Sequence, residues 1–142
     1  MPIIGFSFTK IIADKKELLK PDTKLESHID ILRIEEEKNT TLGKEGLLRF
    51  DFSYNISYGI YAKIEFEGNI LFMTSIKEAK DILVKWQKNK NMDPELSTLI
   101  LNAMLHKCNI RALELEDSIN LPPHIRLPYA GTKPSEDKKK DN

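Results

Sequence analysis

Between residues 48 and 72 apolar and polar positions alternate almost without a break. Leu48, Phe50, Phe52, Tyr54 and Ile56 alternate with Arg49, Asp51, Ser53 and Asn55. After a turn near Ser57–Gly59, Ile60, Ala62, Ile64, Phe66, Ile70 and Phe72 alternate with Tyr61, Lys63, Glu65, Glu67 and Asn69. A period of two sends successive side chains to opposite faces of a strand, so this stretch predicts a long hairpin, oily on one face and wet on the other, as in antiparallel sheet. Gly68 is expected to relieve a bend in the last strand. Two earlier strands are predicted at residues 3–12 and 24–36. In the first, Ile4, Phe6 and Phe8 share a face. In the second, Leu25, Ile29 and Ile31 oppose Glu26, His28 and Asp30, and the blurred pattern at Leu32-Arg33-Ile34 predicts a bulge. The polar Lys15–Thr23 and the charged Glu35–Gly46, with its two glycines, read as a loop and a turn.

The period then changes. Ser75-Ile76-Lys77-Glu78 has the form of a capping box, in which Ser and Glu satisfy each other's free helix-end amides. Ile76, Ala79, Ile82, Leu83 and Trp86 follow at helical spacing. Residues 89–92 break this helix. Asp93 is placed to cap a second one, with Pro94 in its first position. That helix is expected to run to about Asp117, a length of about 36 Å at the helical rise. Leu96, Leu99, Ile100, Ala103, Cys108 and Leu115 make one buried stripe, and Leu101, Met104 and Leu105 widen it. A helix oily on two sides is expected to be covered on two sides. The domain's sheet would supply one cover and a second copy of the chain the other, with Leu101, Met104, Leu105 and Cys108 as candidate interface residues. Strands followed by helices predict an α+β fold, a four-stranded antiparallel sheet with a short and a long helix packed on one face.

Beyond the long helix, Leu121-Pro122-Pro123-His124-Ile125-Arg126-Leu127-Pro128-Tyr129 is held extended by three prolines and made sticky by Leu121, Ile125 and Leu127. From Gly131 onward the chain is polar and simple. The expected organisation is one domain over residues 1–130 and a disordered polar tail over 131–142.

Composition removes several functions. The 22 basic residues cancel the 22 acidic ones, so the basic excess of a nucleic-acid binder is missing. Zero net charge favours association, here a homo-oligomer, dimer or tetramer. No apolar run approaches the roughly 18 residues of a membrane span, so no stable membrane insertion is expected. The single cysteine, Cys108, cannot form an internal disulfide, and the start of the chain has no signal-peptide pattern; both point to the cytoplasm. His106 and Cys108 are two apart and do not share a helix face. No ligand cluster suggests a metal, and no phosphate or dinucleotide loop is present, so neither cofactor nor catalytic residue is expected. Phe50, Phe52, Phe66 and Phe72 are read as packing beneath the helices rather than as an aromatic groove.

Four strands, a short helix, a long helix and a proline-spaced apolar segment, in that order, resemble the SecB-type export chaperones. The segment from Leu121 to Pro128 is the best local match. The run Lys107-Cys108-Asn109-Ile110-Arg111-Ala112-Leu113 also resembles small archaeal proteins that are SecB-like. The resemblance implies a holdase that binds unfolded or extended polypeptide in an apolar groove, with export as the pathway, assembled as a dimer of dimers and needing no nucleotide. The groove residues it points to are Leu121, Pro122, Ile125, Leu127, Trp86 and Tyr129. Two departures stand beside it. The family's final helix has no counterpart in residues 131–142, and the predicted wet face mixes Arg49, Asp51, Lys63, Glu65 and Glu67 instead of being uniformly acidic. The rival readings are an oligomeric adaptor with fixed partners and a small-molecule binder with an interface pocket.

Overall fold

A computed structural model describes residues 3–38 and 45–131. Residues 39–44, within the expected turn, and 132–142, nearly all of the expected tail, lie outside the described residues. Four strands, β1 (Ile3–Lys15), β2 (Leu25–Glu37), β3 (Glu45–Tyr58) and β4 (Ala62–Ser75), are followed by α1 (Ile76–Asn89) and α2 (Pro94–Ser118). The strands form one antiparallel sheet in the order β1-β4-β3-β2. β1 and β3 run past their expected ends, to Lys15 and over Glu45–Tyr58, while β2 falls within one residue of its expected bounds. Ile60 is a correction: it sits in the β3–β4 turn, 81% exposed, and does not begin the strand.

The inner face of the central hairpin is the core. Leu48, Phe50, Phe52, Ile56, Ile64, Phe66 and Ile70 are fully buried there. The outer face carries a charge network centred on Arg49, which donates to Glu35, Glu37 and Asp51, while Arg33 also donates to Asp51. These hydrogen bonds, Asp51 first, raise the Arg49 guanidinium above its ordinary value.

Both edge strands are irregular. In β2 the register slips between Ile31 and Arg33, the bulge expected at Leu32, and it lets Ile34 return to the buried side. In β1 the register slips between Ile3 and Gly5 and again between Phe8 and Lys10. The first slip corrects the expected face: Ile3, Phe6 and Phe8 pair with inner residues of β4, and Ile4 is turned out, 49% exposed. The second slip lies beside Gly68, the partner of Phe8. A Cβ there would lie 2.3 Å from the Ser7 carbonyl oxygen and 2.8 Å from Phe52 Cζ. The glycine is required by the close approach of the bulged β1 backbone.

Both helices lie on the inner face. A Cβ at Gly46 would come within 2.8 Å of Ala79 Cβ, so the missing side chain lets α1 seat on β3. The capping box is half formed. Ser75 Oγ accepts from Glu78 N at 3.1 Å, but the Glu78 carboxylate accepts from the Thr74 hydroxyl instead of reaching back to Ser75. Asp93 stands at the start of α2 without capping it; its side chain accepts from Lys85 Nζ at 2.7 Å.

In α2 the buried stripe is Ile100, Met104, Cys108, Ala112 and Glu116. A spacing of four overshoots a helical turn by about 40°, so the stripe winds by about 160° along the helix. This winding follows a twisted sheet and accounts for much of the wide apolar surface without a second subunit. Met104 and Cys108 are fully buried inside this chain, which removes them from the candidate interface. Leu101 and Leu105 are half-buried.

Replacing Gly68 by Ala is expected to cost at least about 2 kcal/mol, because neither Ser7 backbone nor the Phe52 ring has room to move. The measurement is the urea midpoint. Gly5→Ala, whose Cβ would meet only Leu71 Cδ1 at 3.3 Å, is the control and should lose much less.

Candidate polypeptide-binding strap

The end of α2 is built to turn the chain back on itself. Asn120 takes a left-handed conformation, φ 58°, which asparagine tolerates better than most residues. The Leu121 amide then donates to the Glu116 carbonyl at 2.8 Å. The last turn of α2 has no basic residue of its own. Lys15, from the end of β1, supplies one, its ammonium donating to the carbonyls of Ile119 and Asn120 at 3.2 and 3.1 Å. A cation there offsets the negative end of the helix dipole.

The following segment, residues 121–131, is a strap without regular structure. Leu121 is buried, 5% exposed, and joins the core cluster. The Pro122 carbonyl accepts from the Tyr58 hydroxyl at 2.8 Å. The His124 side chain is only 2% exposed. Its backbone amide donates to Glu116 Oε2 at 3.1 Å, its Nδ1 lies 2.9 Å from the same oxygen, and its Nε2 lies 2.8 Å from Asn109 Oδ1. Asn109 Oδ1 also accepts from the Tyr54 hydroxyl at 3.0 Å, and the Tyr58 hydroxyl reaches Glu116 Oε2 at 2.5 Å. The Tyr54 ring meets the His124 ring edge-on at 6.3 Å. Because Tyr54 and Tyr58 are inner-face residues of β3, the strap runs back along α2 over that strand.

Among the described residues no buried side-chain nitrogen or oxygen lacks a partner, so the polar cluster is satisfied despite its burial. Oxygens of Glu116 and Asn109 face the two ring nitrogens of His124. Burial pushes the Tyr54 hydroxyl up to about 12, and burial with the hydrogen bond to Glu116 raises Tyr58 further. Burial likewise pushes the Cys108 thiol up to about 12.

Beyond His124 the strap shows apolar side chains to solvent: Ile125 is 39% exposed, Leu127 37% and Tyr129 87%. On the inner face beside Tyr58, Tyr54 and Phe52, the β2 partners Leu25, Ile29 and Ile31 form a half-buried apolar row. The six residues singled out in the sequence therefore separate. Ile125, Leu127 and Tyr129 are exposed on the strap. Pro122 is exposed, with its carbonyl bound. Leu121 and Trp86 are core residues, Trp86 with Lys90 Nζ 5.2 Å from its ring centre. Phe50, Phe52, Phe66 and Phe72 are buried under the helices. Glu116, Asn109, Tyr58 and His124 were not legible as a cluster. The available signal was Glu116 itself, an acid falling on the four-residue spacing of the buried α2 stripe.

Among the described residues no group of three or more His, Cys, Asp or Glu could hold a metal ion, and no helix is long and apolar enough to cross a membrane. No family model matches the chain, and no curated protein matches it. Among solved structures it is similar to the SecB-like chaperone Rv1957 of Mycobacterium tuberculosis, solved in complex with a ChAD peptide from the Rv1956 HigA1 antitoxin. The two share 14% identity at a TM-score of 0.52, over 92% of this chain and 91% of that one. The fold is SecB-like.

Two outcomes follow for the strap. Leu121→Ala should lose about 2–4 kcal/mol by leaving a cavity, whereas Ile125→Ala and Leu127→Ala should each lose under about 1 kcal/mol, the range of surface changes. Urea midpoints test both. The raised hydroxyls of Tyr54 and Tyr58 stabilise the fold while neutral. That contribution is full below the ordinary tyrosine value of 10.0 and falls as pH rises from there through the native value, about 12 for Tyr54. Circular dichroism followed upward from neutral pH should show unfolding begin in that window, and Tyr54→Phe should delay it.

Proposed function

We propose that the protein is a SecB-like molecular chaperone, a holdase that binds unfolded or extended polypeptide on the apolar surface of the strap. One observation carries the reading. Ile125, Leu127 and Tyr129, at alternate positions, face solvent on a segment anchored from beneath. Alternate apolar residues match the period of an extended chain, whose side chains repeat every second position. The SecB-like fold supports it, as does the peptide named with the mycobacterial neighbour. The half-buried row of Leu25, Ile29 and Ile31 extends the apolar surface toward the open edge of β2, whose unpaired backbone groups can receive another strand. In this reading the chaperone works in the cytoplasm as a homo-oligomer, through Leu101 and Leu105, without nucleotide or metal.

The test is affinity for a carboxymethylated, permanently unfolded model protein, with suppression of its aggregation as a second readout. Leu127→Ser and Tyr129→Ser should each weaken binding by about 3–10-fold, since a factor of ten corresponds to about 1.4 kcal/mol, with little change in urea midpoint. Unchanged affinity in both variants would remove the strap from the client surface.

A further inference from the structure

After Leu121, the strap's one deeply buried side chain is polar, His124, held between Glu116 and Asn109 of α2. From Ile125 onward its side chains, Arg126 among them, stand in solvent. A lid would turn Ile125, Leu127 and Tyr129 against the sheet, and this strap leaves them exposed. Ile125, exposed next to the buried His124, is not part of the core packing, and neither are Leu127 and Tyr129.

We infer that Glu116, His124 and Asn109 form a positioning latch that sets the strap in one register and presents Ile125, Leu127 and Tyr129 as a fixed platform for the client. The inference rests on the client-binding reading above. Directional contacts are what make it work. Apolar packing alone tolerates sliding, whereas His124 must bring its backbone amide and Nδ1 to Glu116 Oε2 and its Nε2 to Asn109 Oδ1 at once. A shift of one residue would put Pro123 or Ile125 in that place. Neither can bond the Glu116 carboxylate and the Asn109 amide together, and proline has no amide to donate. Pro122 and Pro123 stiffen the approach, so the register fixed at His124 is carried to the residues beside it. A platform already ordered loses less freedom when a client binds. His124, Glu116 and Asn109 are thus positioning residues that need not touch the client.

The experiment pairs amide hydrogen exchange of residues 121–131 with calorimetric titration of the carboxymethylated model protein, on wild type, His124→Ala and Asn109→Ala. Asn109→Ala guards against a fold failure in the first variant, because it removes one acceptor from the exposed side of the cluster and leaves the Glu116 pairing intact. Strap exchange should rise by about tenfold or more in a folded protein, as a local opening. Client affinity, corrected for the fraction folded, should fall by about 3–10-fold, and the loss should appear as a less favourable entropy because the contact residues are unchanged. Unchanged strap exchange in both variants overturns the latch. A looser strap with unchanged affinity overturns the positioning role, and one with tighter affinity makes the strap a lid. If neither wild type nor variants bind the model protein, the proposed function falls and the positioning role falls with it. That failure is told apart from the others because wild type itself gives no heat of binding.

Discussion

Removing the inner face of the β3–β4 hairpin from water is the interaction on which the other elements depend. Leu48, Phe50, Phe52, Ile56, Ile64, Phe66 and Ile70 are fully buried on that face. Each such side chain contributes roughly 1.5–3 kcal/mol when withdrawn from solvent, and among the described residues no other stretch concentrates as many buried apolar side chains. β1 and β2 add themselves to its two sides. α1 seats over Gly46, α2 lays its winding stripe across it, and the strap reaches Tyr54 and Tyr58, the same face continued toward the turn. Every helix position and the path of the strap are thus referred to one surface.

That dependence explains what could be read in the chain beforehand. A two-residue period over 25 positions is a strong signal because a slip of one residue would turn the whole apolar set outward. The helices were legible for the same reason, their period being set by the surface they cover. What escaped was decided between elements far apart in sequence. Ile4 was assigned to the wrong face because a bulge reverses alternation and leaves no mark in the residue types. The steric need for Gly68 was not legible because it lies in the neighbouring strand, at Ser7. Met104 and Cys108 were also offered to a partner because a helix oily on two sides was read as covered on two sides, whereas the sheet's twist winds one buried stripe around the helix. The strap's apolar residues were visible. Its anchor was not, since it brings together an acid in a helix and a histidine among prolines.

The strap resolves a conflict that any client-binding surface meets. Apolar residues strong enough to bind an unfolded chain are also drawn into the protein's own core. Here the segment is fastened by buried Leu121 and by hydrogen bonds to Glu116, Asn109 and Tyr58, so Ile125, Leu127 and Tyr129 are not needed to hold it down. Burying polar groups costs little when every one is paired, and fully paired they fix a single arrangement. Adhesion to self and adhesion to others are assigned to different chemistry on the same short segment.

The bulges in the outer strands bear on what a sticky protein does at high concentration. β1 and β2 each leave thirteen residues along an open side of the sheet, a length that would otherwise invite copies to stack without limit into fibres. The slips at Ile4, Thr9 and Leu32 interrupt the regular ladder that such stacking requires, because a bulge breaks the spacing of the amides and twists the strand away. Only short stretches of either side stay straight enough to accept a partner. A short extended peptide can still be received along such a stretch, while an endless array of identical sheets meets a break within each layer.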